Sequence, residues 1–322
     1  MYKLLSLLLA GWLLASCRKD DLIECYPTTT GVTVPASSAS NLSLAEFSRR
    51  NGVPMQTFNV VLGAQAQTVT TTGGATITLP ANGFLLPNGA AASGAAVLKL
   101  REIYTVPDMV LTNMPTNQPG RPGDLLISGG EFNIQVYSNS QRLRLAAGSA
   151  LTVQSPIPTS QDTTRQYVWR RPAPLTLAPF DTTGWTRVSQ QQVQQLPGFY
   201  RATLAFDSLG WCNIDQYWQR YSSNSHTSLL VNTPANGLSD TRVFLRPVGF
   251  NGLGRLYPTN SSGSQWTQSM PPGSGVVVAV LQSIGGQLYY GTQRLVVQAN
   301  ATVTPTLTPV SETTAVQLIR QL

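Results

Sequence analysis

Short runs of alternating apolar and polar residues, separated by glycine, proline and asparagine, recur along the chain from residue 57 onward. In "EFNIQV", Phe132, Ile134 and Val136 alternate with polar neighbours, which is the two-residue period of a strand with one buried face. Similar runs are "TFNVVLG", "ATITLP", "AAVLKLREIY", "ALTVQS", "TRVFLRP", "GSGVVVAVLQS" and "GGQLYYGTQRLVVQ". Because no stretch between them is long and amphipathic enough for a crossover helix, the pattern predicts antiparallel sheets and a mainly β fold.

A short helix is predicted before the first strand. Ser43 and Glu46 have the spacing of a capping box. Leu42 and Phe47 have the spacing of a hydrophobic staple, and Gly52 supplies a stop signal. This helix is expected to cover one end of a sheet sandwich.

The end of the chain predicts a second short helix over residues 311–322, capped by Ser311. The stretch "SQQQVQQLPG" is compatible with another short helix, and Gly285 with Gly286 predicts a tight hairpin. Apolar side chains of the last helix that are available for docking are Val316, Leu318, Ile319 and Leu322.

The composition agrees with strands and turns. Charged residues are 11% of the chain, against roughly 25% in an average soluble protein, while the 27 Gly, 22 Pro and Thr-rich stretches favour a β fold. A chain of 322 residues is long enough for two domains of ordinary size. We therefore expect two antiparallel β-sandwich domains in tandem, with short peripheral helices.

The boundaries of this arrangement follow from the patterns above. The expected segments are a signal peptide (1–16), a tether with a short helix (17–56), a sandwich (57–156), an aromatic-rich connecting region (157–227), a second sandwich (228–310) and a C-terminal helix (311–322).

The formal net charge is +7, which raises the question of nucleic-acid binding. The arginines are spread along the chain, and no window combines a basic cluster with interleaved aromatic residues. A mild excess of arginine is typical of a solvated surface, so we expect no nucleic-acid partner.

The first 16 residues have the layout of a secretory signal. Lys3 precedes an apolar run at 4–15, which is too short for a membrane-spanning helix of about 20 residues. Leu14, Ala15 and Ser16 before Cys17 resemble the lipobox of bacterial lipoproteins. The resemblance implies that the Cys17 thiol is alkylated by diacylglycerol, that the signal is cleaved before it, and that acyl chains anchor the protein. The alternative is a plain secretory signal with a chance cysteine.

The residues after Cys17 indicate where the protein is located in the cell envelope. "CRKDD", with Lys19, Asp20 and Asp21, resembles the surface-export signal of Bacteroidetes lipoproteins. The resemblance implies an outer-membrane lipoprotein displayed on the cell surface. A solvated charged tether, with the protein on the inner face of the outer membrane, is the alternative.

Three stretches resemble a known β-sandwich family. "GGATITLPANGF", "GAAVLKLREIY" and "GDLLISGGEFNIQV" are similar to the ZU5-type sandwich of uncharacterised Bacteroidetes surface lipoproteins, over about one hundred residues. The position of Cys212 in "LGWCNIDQYW" departs from that pattern. The resemblance implies a module for protein interaction, and the second sandwich is expected to be transthyretin-like or Ig-like. Some relatives cleave themselves at a Phe-Ser bond, but Phe47 and Ser48 have no histidine beside them, so we expect no self-cleavage.

Few residues offer enzyme chemistry. His226 is the only histidine, which excludes sites built on two or more histidines, and it lies in the polar stretch "SSNSHTS", typical of an exposed loop. Calcium would need oxygen ligands alone, but no D-x-D-x-D-G loop occurs. We expect no metal and no cofactor.

Glu102 is an unusual carboxylate, because it shares strand parity with Leu98 and Leu100 and is expected to point inward. Glu131 is in a similar position at the next strand. A buried carboxylate needs donors, and the amides of residues 128–130 are candidates. We expect a structural clamp, with a catalytic acid as the alternative.

The remaining candidates are a cysteine pair and an aromatic group. Cys25 and Cys212 could form a disulfide in an oxidising compartment, or both stay free. The aromatic group could stack on sugars or seal the join between the sandwiches. Its members are Trp211, Tyr217, Trp218 and Tyr221.

These features together predict a non-enzymatic, lipid-anchored module that presents an interaction or scaffolding surface to other envelope proteins. The alternative is a carbohydrate-binding surface lipoprotein for glycan capture. A carboxylate-based hydrolase is a more distant third hypothesis.

Overall fold

The computed structural model describes residues 42–119, 124–157, 165–172, 183–189, 193–205, 209–218 and 226–322. These residues belong to one compact unit that spans 39–322. The unit is mainly β, as the alternation predicts, and its sheets are almost entirely antiparallel. None of the helices in these ranges has the length and apolar character needed to cross a membrane.

The strands between residues 56 and 217 build the first pair of sheets. They are β1 (Gln56–Leu62), β2 (Gln67–Thr70), β3 (Thr76–Leu79), β4 (Phe84–Leu85), β5 (Gly94–Ile103), β6 (Leu126–Ser138), β7 (Gln141–Arg142), β8 (Arg144–Leu145), β9 (Leu151–Pro156), β10 (Tyr167–Arg171), β11 (Thr186–Arg187), β12 (Val193–Leu196), β13 (Phe199–Leu204) and β14 (Trp211–Tyr217).

Sheet I has the strand order β1-β5-β6-β14-β10-β11, with β7 beside β6, and sheet II has the order β12-β13-β9-β3-β2. Strands β4 and β8 form a small separate pair. Leu98 and Phe132 from sheet I share one buried cluster with Ile77 and Val153 from sheet II. This cluster is the first core, and it lies between the two sheets.

The stretch 157–227, which sequence analysis treats as a connecting region, contributes strands to both sheets. Strand β14 lies between β6 and β10 in sheet I, and β13 pairs with β9 in sheet II. The boundary expected at residue 156 therefore falls inside the first sandwich. The alternation is absent from β14 because residues 212–216 are all buried, and a strand covered on both faces has no two-residue period.

The glutamine-rich stretch is not a helix in the residues described. Strand β12 pairs with β13 around a turn at Pro197 and Gly198, so that Gln195 lies opposite Tyr200. The prediction of a short helix there is wrong because the turn folds the chain back onto sheet II.

The strands after residue 226 build the second pair of sheets. They are β15 (Thr227–Asn232), β16 (Thr241–Pro247), β17 (Gly254–Arg255), β18 (Tyr257–Pro258), β19 (Gln265–Met270), β20 (Gly275–Ile284), β21 (Gln287–Val296), β22 (Thr302–Val303) and β23 (Thr308–Val310).

Sheet III has the order β17-β16-β20-β21-β23, and sheet IV has the order β18-β19-β15-β22. Val243 and Val278 from sheet III form a second core with Leu229 and Trp266 from sheet IV. The hairpin predicted at Gly285 is confirmed, with φ angles of 56° and 86° at the two glycines. Strand β22 runs parallel to β15, which departs from the all-antiparallel expectation.

Three helices occur in the described ranges: α1 (Leu44–Asn51), α2 (Val106–Thr112) and α3 (Glu312–Ile319). The two predicted helices are confirmed at α1 and α3, and the Oγ atoms of Ser43 and Ser311 cap them. Helices α1 and α3 are peripheral, as expected, because each buries two of its eight residues, whereas α2 buries four of its seven. A third cluster joins Phe47, Met109 and Ile319 of the helices to the outer faces of sheets I and III, through residues such as Trp169 and Leu281.

The helices and the facing sides of sheets I and III form one helix layer, into which each helix packs its buried apolar side chains. Polar contacts reinforce the helix layer. Arg242 of sheet III donates from Nη1 to Ser48 Oγ at 2.6 Å, and Asn51 donates from Nδ2 to Glu312 Oε1 at 2.7 Å. The two sandwiches share this buried layer.

Candidate functional site: a cleft beside a buried carboxylate

The predicted anchoring and export residues lie outside the described residues. These are Cys17, Lys19, Asp20 and Asp21; Cys25 and Tyr221 lie outside them as well.

Glu102 is 5% exposed and accepts four hydrogen bonds. Oε1 accepts from Gln56 Nε2 at 2.8 Å and from the Gly73 amide at 2.6 Å. Oε2 accepts from Thr71 Oγ1 at 2.7 Å and from the Tyr104 hydroxyl at 2.9 Å. The inward orientation agrees with the strand parity, and the donors fill both oxygens as a structural clamp requires.

The donors of Glu102 differ from the expected ones. They come from β1, from the turn after β2 and from Tyr104, and none comes from residues 128–130. A Cβ at Gly73 would lie 2.7 Å from the Glu102 carboxyl carbon, so the close approach of this amide requires glycine. The Gly129 amide instead contacts a different acid, Asp215.

A cleft of about 620 Å³, partly open to solvent, lies beside the Glu102 cluster. Its walls come from the first sandwich, the start of α2 and the loop after β16. The lining residues are Gly73, Tyr104, Thr105, Val106, Pro107, Pro156, Ile157, Arg246, Gly249, Phe250, Asn251 and Leu322. The cleft therefore lies where the first sandwich meets sheet III.

Two polar side chains of the cleft wall are held by other groups. The Tyr104 hydroxyl donates to Glu102, and burial, followed by the Glu102 charge, raises the pKa of Tyr104 well above its usual value. Asn251 donates from Nδ2 to the backbone oxygens of Tyr104 and Ser128, at 2.9 and 2.7 Å. Both side chains thus form fixed parts of the wall.

Arg246 supplies a positive charge to the cleft. Its Nε atom is buried and has no hydrogen-bond partner in the structure. A buried donor without a partner costs about 1 to 3 kcal/mol. The role of Arg246 goes unpredicted because "TRVFLRP" indicates only a strand, with no signal for a cleft at its end.

A second buried acidic pair lies deeper in sheet I. Glu131 and Asp215 are both fully buried, and Asn213 donates from Nδ2 to Asp215 Oδ2. Burial raises the pKa of each carboxyl well above its usual value, and the Asp215 charge raises the pKa of Glu131 further, while Arg171 opposes this increase. The arrangement favours the neutral acids.

Asp215 had no clear signal in the sequence. A register shift lies between Asn213 and Asp215, where β14 pairs with β6, and this bulge brings Ser128 and the Gly129 amide to the Asp215 carboxyl. The hint of a buried acid at this position is a carboxylate in the middle of a strand that is otherwise buried.

Three members of the aromatic group pack against other rings, with Trp218 buried and Trp211 and Tyr217 partly buried. Trp218 is 9% exposed, with its ring 5.6 Å from that of Phe250. Tyr217 lies edge-on to Trp169 at 4.9 Å. Trp211 lies edge-on to Trp185 at 6.5 Å between centroids. This packing favours the sealing interpretation over sugar stacking for these three rings.

The remaining candidates have simple environments. Cys212 is a free thiol in the first core, and burial raises its pKa to about 12. His226 is exposed just before β15. In the part of the chain that the structure describes, no three His, Cys, Asp or Glu side chains are grouped to hold a metal ion.

No family model matches this chain, and a search of curated proteins also gives no match.

Proposed function

We propose that this chain is a lipid-anchored protein of the outer membrane, displayed on the cell surface, which acts as a non-enzymatic interaction or scaffolding module. This location is supported by the lipobox-like residues before Cys17 and by the charged triplet Lys19, Asp20 and Asp21. In this proposal the first pair of sheets is a ZU5-like sandwich and the second is a transthyretin-like or Ig-like sandwich.

The observation that carries the proposal is the shared helix layer. Phe47, Met109 and Ile319 bury themselves in a single cluster with residues of both sheet I and sheet III. Such a layer holds two sandwiches in one orientation, so that a partner meets a preformed surface and loses less conformational freedom on binding. A scaffold needs this property.

The residues singled out by sequence as ligand contacts also support an architectural role. Trp211, Tyr217 and Trp218 pack against other aromatic rings, and Glu102 has its oxygens filled by internal donors. Their side chains are therefore occupied in holding the fold together.

Crosslinking on intact cells, followed by affinity purification, tests the proposal. We expect a reproducible set of envelope proteins with the parent chain and its loss with Cys17→Ser, which removes the acylated thiol but keeps the folded unit. Recovery of the same partners from a soluble Cys17→Ser protein would contradict the role of the anchor. Recovery of no protein partner from the parent would contradict the scaffold.

Glycan capture is the second candidate, favoured by partly exposed side chains of β5 and β6 in sheet I. There the Tyr137 hydroxyl donates to Gln135 Oε1 at 2.7 Å, Gln135 Nε2 donates to Asn133 Oδ1 at 2.9 Å, and Lys99 Nζ lies 5.3 Å from the Tyr137 ring. A partly exposed ring beside amides suits sugar hydroxyls. Glycan-array binding that is lost with Tyr137→Ala but kept with Trp218→Phe would support this candidate, and absence of binding by the parent would reject it.

A further inference from the structure

We propose that the cleft between the first sandwich and sheet III binds a carboxylate carried on an apolar body, with the Arg246 guanidinium as its counter-charge. This site does not depend on the proposed anchoring or scaffolding function. The charge, the walls and the size of the cleft support this assignment.

The positive charge of the cleft comes from the Arg246 guanidinium. Arg246 lines the cleft, and its buried Nε atom has no partner within the protein. A guanidinium presents donors in a planar fork that matches the two oxygens of a carboxylate. A ligand carboxylate in the cleft would pair with this guanidinium through charge-assisted hydrogen bonds.

The other polar side chains of the wall do not compete for this role. The Tyr104 hydroxyl already donates to Glu102, and Thr105 Oγ1 donates to Asp108 Oδ2 at 2.8 Å. The two Asn251 donors already serve the backbone oxygens of Tyr104 and Ser128. Arg246 is therefore the side chain in this lining that has donor capacity left for an anion.

Most of the rest of the wall is apolar. Val106, Pro107, Ile157 and Phe250 line the cleft together with the Tyr104 ring. The volume of about 620 Å³ is within the range of small-ligand sites, about 300 to 1,000 Å³. This space suits an aliphatic or aromatic body next to the carboxylate.

The same arrangement disfavours a phosphate or other multiply charged anion. Glu102 lies directly behind Tyr104 and Gly73, so a second negative charge in the cleft would meet repulsion, and the lining offers one guanidinium to balance it. A single carboxylate is the anion that fits this balance.

The test uses the detergent-solubilised full chain, with phenylacetate as the probe and titration calorimetry at constant ionic strength. We expect phenylacetate to bind and phenylacetamide, which has nearly the same shape without the charge, to bind at least about tenfold more weakly. Equal binding of the two probes, or no binding of phenylacetate, would overturn the proposal. This comparison needs no variant, so it holds even where a substitution disturbs folding.

Variants locate the site. Arg246→Gln should weaken phenylacetate binding by about tenfold or more, while Arg294→Gln, which removes an exposed arginine from β21 of the same sheet, should leave it unchanged. Arg246→Met removes the buried Nε donor that has no partner, so the melting temperature of this variant should be no lower than that of the parent. Full phenylacetate binding by a folded Arg246→Met protein would refute the assignment of Arg246.

The source of the carboxylate is resolved by a second pair of probes. N-acetyl-Leu-Phe with a free C-terminus is compared with the same dipeptide carrying a C-terminal amide. Tighter binding of the free-acid peptide than of phenylacetate identifies a peptide C-terminus as the occupant. Binding of phenylacetate without the peptide identifies a small apolar acid. Binding of the amide as tightly as the free acid contradicts the proposal in either form.

Discussion

Four donors converge on the Glu102 carboxylate, from Gln56, Thr71, Gly73 and Tyr104. Glutamine at this position would turn an NH₂ group toward a donor and leave buried groups without partners. We predict that Glu102→Gln lowers the free energy of unfolding by about 2 to 3 kcal/mol, measured by thermal and denaturant unfolding.

The matched control is Glu312→Gln, because the Glu312 side chain is 31% exposed and a glutamine oxygen there can still accept from Asn51 Nδ2. That substitution should change stability by less than about 1 kcal/mol. Coinciding melting curves for Glu102→Gln and the parent would show that the clamp does not stabilise the fold.

The buried pair Glu131 and Asp215 predicts how the free energy of unfolding depends on pH. Both folded pKa values are raised, so the folded chain keeps protons that the unfolded chain releases near a pH of about 4. The free energy of unfolding therefore falls as pH rises from about 4 to the raised pKa values of the folded chain. The decrease is up to about 1.4 kcal/mol per pH unit for each carboxyl group. Glu131→Gln should flatten this dependence and be more stable than the parent at pH 8.

Urea unfolding at pH 5 and pH 8 measures this effect. A Glu131→Gln protein that loses stability at pH 8 relative to the parent would show that the ionised form is the favoured one in the folded state.

At the residue scale, the sequence predicts whether a side chain points inward better than it predicts which groups form hydrogen bonds with it. The parity of Glu102 with Leu98 and Leu100 predicts its burial, and both leucines are buried beside it. Its donors at Gln56 and Thr71 are separated from it by 46 and 31 residues, so only the tertiary fold brings them together. Arg246 is similar, since its cleft exists only when two sandwiches meet.

At the scale of elements, strong local signals predict well. The cap at Ser43 is present, with Glu46 N donating to Ser43 Oγ at 3.2 Å, although the Glu46 carboxylate pairs with Arg49 and Arg50. Helix α2 went unpredicted despite a similar signal, because Thr105 and Asp108 stand where the apolar run of β5 ends. Local signals fail where burial on both faces, as in β14, removes the period.

The helix layer makes an element-scale prediction. Phe47 of α1 is fully buried, so Phe47→Ala should lower the free energy of unfolding by about 3 to 5 kcal/mol and increase amide exchange in α2 and α3. Arg49→Ala is the control, because the Arg49 side chain is 63% exposed, and it should cost less than about 1 kcal/mol. Equal effects of the two substitutions would contradict the packing of this layer.

At the scale of the whole molecule, the layer couples the two sandwiches. Because residues of sheets I and III share one buried cluster with the helices, we predict a single calorimetric unfolding transition whose van't Hoff and calorimetric enthalpies agree. Two separate transitions in the parent chain would show that the sandwiches fold independently and that the layer does not fix their orientation.

The central claim is that Cys17 carries lipid. Mass spectrometry of the mature N-terminal peptide, isolated from the membranes of native cells, tests it most directly. We predict a peptide that begins at Cys17 and carries the mass of a diacylglyceryl thioether. A mature protein with an unmodified thiol at position 17, or one that begins at another residue, would contradict the account.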